Sequence, residues 1–206
     1  VTVDDIIYHT KSVSRGLKRA FLIADMPFMS YSDPNQALEN SVRLMQEGGA
    51  MMIKLEGGED QITIVEHLAR HDIAVCAHLG LKPQSVHKIG GFRVQGRIQN
   101  ESKKMLKNAK SLQDAGADIV LLECIPNELG KSISKNLDIP VIGIGAGPDV
   151  DGQILVLYDI LDITQGSTPK FVKNFMKGHD SPVDAIQSYV KAVKKGDYPA
   201  AKHCFS

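Results

Sequence analysis

The chain has 206 residues, 43% hydrophobic and 23% charged, which suits one soluble globular domain. Its 24 Lys and Arg balance 24 Asp and Glu, so net charge argues for neither nucleic acid nor a membrane surface as partner. No apolar run approaches the ~20 residues of a membrane span, and Cys76, Cys124 and Cys204, odd in number and widely spaced, point to a reducing cytoplasm.

Val3 to Arg15 carries Val3, Ile6, Ile7 and Val13 at helical spacing behind an acidic start, which predicts an amphipathic helix. Ala20–Ala24 is a continuous apolar run, predicted as a strand buried on both faces and ending at Asp25. Asp33-Pro34 then supplies an N-cap and a proline at the first helical position, and Gly48 closes that helix. Met51-Met52-Ile53 reads as the next strand, running into Lys54-Leu55-Glu56-Gly57-Gly58. Side chains alternate across a strand, so Lys54 and Glu56 share one face and Ile53 and Leu55 the other.

A helix through Ile62, Val65 and Ala69 leads to a strand at 73–77 that ends at His78. Residues 79–100 break into a long Gly-rich and polar loop, of the kind usually kept for function. A helix through Met105, Ala109 and Leu112 follows, then a strand at 119–122 ending at Glu123 and a helix at 127–136. The strand at 140–144 ends in Gly145-Ala146-Gly147, and Ile154–Leu157 is a sixth strand candidate ending at Asp159. A last helix, about 182–195, presents Val183, Ile186, Val190 and Val193 and is expected to pack outside the core.

Alternating strands and helices with no hairpin signals predict a parallel sheet with helical crossovers. Five consecutive strand ends carry polar or Gly-rich groups, and a (β/α)8 barrel gathers such ends at one mouth whereas an open doubly wound sheet spreads them along an edge. The barrel is therefore the predicted fold, as a single domain over 1–206. Six strands are visible where a barrel needs eight, and the chain begins with Val, so two further βα units are expected to precede it.

Asp25 suits a hard divalent cation, or else a turn before Pro27. Glu123, behind four apolar residues, is a candidate general base, or else half of a structural ion pair. Lys54 could hold a carboxylate or a developing enolate oxygen, and His78 offers a donor or is a satisfied core histidine. Gly145-Ala146-Gly147 could cradle an anion or simply allow a tight turn. Metal, Lys and carboxylate together match abstraction of the α-proton of a 2-oxo acid. No phosphate loop of the GxxxxGK type competes.

Ordered stretches across nearly the whole chain resemble the ketopantoate (3-methyl-2-oxobutanoate) hydroxymethyltransferase family. They are VTVDDIIYHT at the start, Ala24–Tyr31 (ADMPFMSY), Lys54–Gly58, His78–Ser85 (HLGLKPQS), Gly90–Arg97 (GGFRVQGR), Leu122–Pro126, Ile142–Gly147 (IGIGAG), Asp151–Gln153 and Pro169–Val172. The resemblance implies a (β/α)8 barrel, a homo-oligomer (the family forms decamers), Mg²⁺, and 5,10-methylenetetrahydrofolate as co-substrate. It implies that Asp25 ligates the metal and meets the substrate, that Glu56 stands in the metal's outer shell, and that Lys54 and His78 contact the 2-oxo acid. Glu123 would be the base that deprotonates C3 of 3-methyl-2-oxobutanoate to give a Mg-stabilised enolate. Lys82 stands where the family usually has Thr, and Asp162 where it usually has Gly. The family's Val-Gly-Asp-Ser motif, with a second metal Asp, is expected on the units preceding Val1. Two other readings are a non-catalytic truncated barrel and a related metal-dependent lyase for another 2-oxo acid.

Overall fold

The structure, a computed structural model, describes residues 1–206 and every side chain except that of Ile89. Helix α1 (Val3–Gly16) starts where the sequence predicts because Thr2 and Asp5 form a reciprocal capping box: each side chain bonds the other's backbone N–H. Strand β1 (Ile23–Asp25) leads to α2 (Pro34–Gln46), whose Asp33 cap accepts from the N–H groups of Asn35 and Gln36. Next come β2 (Met52–Glu56), α3 (Ile62–Ala69) and β3 (Val75–Gly80). The short α4 (Val86–Ile89) precedes α5 (Gln99–Asp114), β4 (Ile119–Glu123), α6 (Asn127–Asn136) and β5 (Val141–Ile144). Two-residue β6 (Gly152–Gln153), α7 (Leu157–Ile160) and α8 (Pro182–Lys195) complete the elements used below.

The six strands form one parallel sheet in the order β1-β2-β3-β4-β5-β6. Each strand lies beside its predecessor in the chain and the order never reverses, which is the winding of a barrel and not of a doubly wound sheet. The sheet does not close, since β1 and β6 pair only with β2 and β5. The six strands expected of this chain are thus present as an open half-barrel, with β1 facing a gap as predicted. Alternation divides its residues between two faces. Ala24, Ile53, Leu55, Val75, Ala77, Val120 and Leu122 pack under the helices in the main core. Met52, Cys76 and Leu121 form a small apolar cluster on the concave face, and the polar strand ends stand in the same rows as that cluster.

Four local expectations need correction. The run at 20–24 is not buried on both faces: Leu22 and Ala24 are covered, whereas Phe21 is 53% exposed and Ile23 37%, because β1 is an edge strand with nothing over its concave side. The sixth strand is 152–153 and not 154–157. One further bond, from the Ile154 N–H to the Gly143 carbonyl, extends it before Leu157 opens a helix. Short apolar runs do not separate strand from helix by periodicity. Helix α8 buries Ala185 and Ala192 with Tyr189 and Val193 against Phe175 and Tyr198, leaving the predicted Val183, Ile186 and Val190 exposed. The 79–100 segment is not structureless, because Pro83 opens a 3₁₀ turn that runs into α4.

Candidate active site

The register of the parallel strands brings the charged residues together. Asp25 lies beside Lys54, Glu56 beside His78, and Gly80 beside Glu123, so all five candidate groups project from adjacent C-terminal strand ends on the concave face. Gly80 is required there: its φ is +95°, and a Cβ would sit 2.1 Å from the Glu123 carbonyl oxygen.

Lys54 Nζ is the hub. It lies 2.7 Å from Asp25 Oδ1, 3.9 Å from Glu56 Oε1 and 3.4 Å from His78 Nδ1. An ammonium can only donate, so Nδ1 of His78 is the acceptor and the ring proton sits on Nε2. That N–H points toward Glu123 Oε2 at 3.2 Å, yet makes no aligned hydrogen bond to any described residue. A buried donor left open toward a carboxylate is expensive to keep without a purpose.

Burial grades the carboxylates. The Asp25 side chain is 48% exposed, Glu123 14% and Glu56 4%. Burial pushes the Glu56 carboxyl above the ordinary range, against the opposing pull of Lys54 and His78. Three carboxyl groups, one at the outer rim and two inside, thus surround one amine and one imidazole. The concave pocket is therefore suited to an anion that brings its own counter-cation, or to losing a proton to a carboxylate.

Two site-building residues carried no role in the sequence reading. The Tyr31 hydroxyl donates to Gln84 Oε1 at 2.7 Å and accepts from the Glu56 N–H at 3.3 Å. Gln84 donates from its backbone N–H to Glu56 Oε2 at 3.1 Å and from Nε2 to the Met26 carbonyl at 2.7 Å. Both lie in the quoted stretches ADMPFMSY and HLGLKPQS, which was the signal available. The Gly145-Ala146-Gly147 turn does not open toward the site. Cβ atoms at Gly145 and Gly147 would strike Phe171 and Asn127, so close packing explains these glycines.

Among the described residues no group of three His, Cys, Asp or Glu is placed to hold a metal ion. Asp25 offers one half-exposed carboxylate, with one oxygen on Lys54. That donor set fits a hard cation that completes its shell with water and substrate oxygens, and Glu56 stands too deep and too engaged for a direct ligand.

The sequence model of the family described as ketopantoate hydroxymethyltransferase matches residues 1–201. The chain is 58% identical over 205 residues to the 3-methyl-2-oxobutanoate hydroxymethyltransferase of Alkalilimnicola ehrlichii, covering 100% of this chain and 74% of that protein. It is 56% identical over 199 residues to the enzyme of the same name from Nitrosococcus oceani, covering 97% and 75%. Among solved structures it resembles a putative phosphonomutase from Burkholderia cenocepacia, with a TM-score of 0.57 at 12% identity over 95% of this chain and 76% of that one. A phosphonopyruvate hydrolase gives a TM-score of 0.55 at 14% identity over 95% and 65%. At such identity these two structures speak for the fold alone.

Proposed function

The chain belongs to the ketopantoate hydroxymethyltransferase family, and from that membership we propose that it transfers a hydroxymethyl group from 5,10-methylenetetrahydrofolate to 3-methyl-2-oxobutanoate. The product is 2-dehydropantoate, for pantothenate synthesis. The observation that carries the reading is the pairing of Glu123 Oε2 with His78 Nε2 at 3.2 Å on the same concave face as Lys54.

In this reading Glu123 is the general base for the C3 proton of the 2-oxo acid. The C3–H bond breaks, its proton passes to Glu123, and the electron pair is delocalised onto the 2-oxo oxygen as an enolate. Lys54 and the Nε2–H of His78 face that growing negative charge, which is where fixed donors lower a barrier most. C3 bonds to the donor's one-carbon unit, water supplies the new hydroxyl oxygen, and both C–N bonds of the methylene break; the proton from Glu123 and the two from water end on the hydroxyl and on the two nitrogens of the departing tetrahydrofolate. Asp25 would ligate a divalent cation such as Mg²⁺, with Glu56 in its outer shell, and also meet the substrate. The cation would supply Lewis-acid polarisation of the 2-oxo group. The cytoplasm and a homo-oligomeric assembly belong to the same reading. No helix is long and apolar enough to cross a membrane among the described residues.

Glu123→Gln tests the core of this proposal, because the amide is nearly isosteric and cannot accept the proton. In deuterated water, exchange of the C3 proton of 3-methyl-2-oxobutanoate, followed by NMR, should fall by ~10²–10⁴-fold. Exchange at the parent rate would remove Glu123 from the chemistry.

A further inference from the structure

A cavity of about 730 Å³ is lined by Glu123 but not by His78, Lys54 or Asp25, and nothing in the proton-abstraction chemistry uses it. Its walls include Ile144, Val156, Phe171 and Phe205, with the two phenyl rings edge to face at 6.2 Å between centroids. Leu81, Cys124, Ile144 and Phe171 pack together as its floor. Two ionisable groups in this lining are buried, the Cys124 thiol and Asp159, and only Asp159, 8% exposed, is a carboxyl. Its Oδ1 accepts from the Thr164 hydroxyl at 2.6 Å, and no described residue donates to Oδ2. A buried carboxylate with one oxygen held and the other left toward an apolar cavity is costly unless a ligand donates to it.

Chemistry fixes where the second carbon centre must come from. The carbanion forms beside Glu123, and reacting atoms must approach to about 3–3.5 Å, so the one-carbon donor has to bind in space that touches Glu123. This cavity does so, and its volume lies within the ordinary range for small-ligand sites. The cavity of about 540 Å³ beside Gly57, Asp60, Lys104 and Asn108 does not border Glu123. A pterin is a flat bicycle with apolar faces and, at one edge, a 2-amino group next to a ring N–H. Two parallel donors of that kind match a carboxylate, as a guanidinium does.

We infer that the cavity beside Glu123 is the pterin site of the folate donor, with Asp159 accepting from its 2-amino-4-oxopyrimidine edge and Phe171, Phe205, Ile144 and Val156 covering its faces. This rests on the reading that a folate supplies the one-carbon unit. Thr164 then acts as a positioning residue, since its hydroxyl fixes one oxygen of Asp159 and turns the other toward the ring.

The test is titration of the full chain with tetrahydrofolate, read by calorimetry, for the parent, Asp159→Asn and Val156→Trp. Val156 is half exposed, so the indole fills the cavity without entering the core, and melting curves establish that each variant is folded. The expected result is weakening by about 10- to 100-fold in Asp159→Asn, where one acceptor of a charge-assisted pair becomes a donor. Val156→Trp should weaken binding to a similar degree by occlusion. If tetrahydrofolate binds the parent and both variants alike, the cavity assignment is wrong and the folate reading survives. If tetrahydrofolate does not bind the parent at all, the folate reading fails and takes the cavity assignment with it.

Discussion

Tyr31 and Gln84 show what single residues contribute without touching the centre of the site. Between them they join the ends of β1 and β2 to the segment after β3, using the Met26 carbonyl and the Glu56 N–H and carboxylate as anchor points. Tyr31 is largely desolvated, and burial holds its hydroxyl well above the usual phenol range, so it stays a neutral donor at any working pH. Tyr31→Phe keeps the ring and deletes the hydroxyl, leaving Gln84 Oε1 and the Glu56 N–H each short of a partner. The expected loss is about 1–3 kcal/mol, read as a lower urea midpoint with an unchanged slope. A midpoint equal to the parent's would mean that water replaces the phenol at no net cost. These two residues lie 53 apart in sequence, and neither has a charge to draw notice, so their meeting was not legible before the fold. The charged residues were legible, because a Lys, a Glu or an Asp at the end of an apolar run is conspicuous for its desolvation cost.

Elements with a cap or a long period were readable to within a residue or two, since their boundaries are written in local chemistry. Asp33-Pro34 starts α2 and Ser181-Pro182 starts α8 by the same cap-then-proline device. What local chemistry does not write is which face of a helix meets the protein, and for α8 the small residues Ala185 and Ala192 win that place because Phe175 and Tyr198 fill the space. The turn after α8 carries a titratable test of its packing. His203 is buried, its Nδ1 accepts from the Ala200 N–H at 3.0 Å, and its ring lies 5.2 Å from that of Tyr198. Burial, with Lys202 and Lys173 nearby, depresses its pKa below the ordinary 6.5. A depressed pKa means that the unfolded chain binds the proton more readily, so this contribution to stability is complete above about pH 6.5 and is lost as pH falls through the folded-state value. His203→Asn keeps an acceptor and removes the titration. The parent's advantage in melting midpoint over that variant should therefore shrink between pH 8 and pH 5, and an advantage independent of pH would show that the imidazole is not held neutral.

At the scale of the whole molecule the sheet's winding and its openness have different causes and different consequences. Sequential strand order follows from short crossovers between neighbouring parallel strands, and it converges Asp25, Lys54, Glu56, His78 and Glu123 although the first and last lie 98 apart in sequence. Openness follows from β1 and β6 each having one pairing side unused. The two edges are not equivalent. β6 is two residues long and quickly gives way to α7, a short edge of the kind that resists pairing. The β1 edge is bordered by Phe21 and Ile23, both exposed, and exposed Met51 just before β2 bonds from its N–H to the Leu22 carbonyl. An unpaired parallel strand flanked by apolar side chains is a template for association with another chain. Residues 1–206 taken alone are therefore expected to self-associate through the open β1 edge, with an apparent mass in sedimentation that rises with concentration. Phe21→Lys places a charge at the edge without disturbing Leu22 or Ala24, which hold β1 on the main core, and should shift the distribution toward the single chain. Equal sedimentation of these residues with and without Phe21→Lys across the concentration range would show that the β1 edge does not drive association, leaving the exposed face of Val183, Ile186 and Val190 on α8 as the next surface to charge.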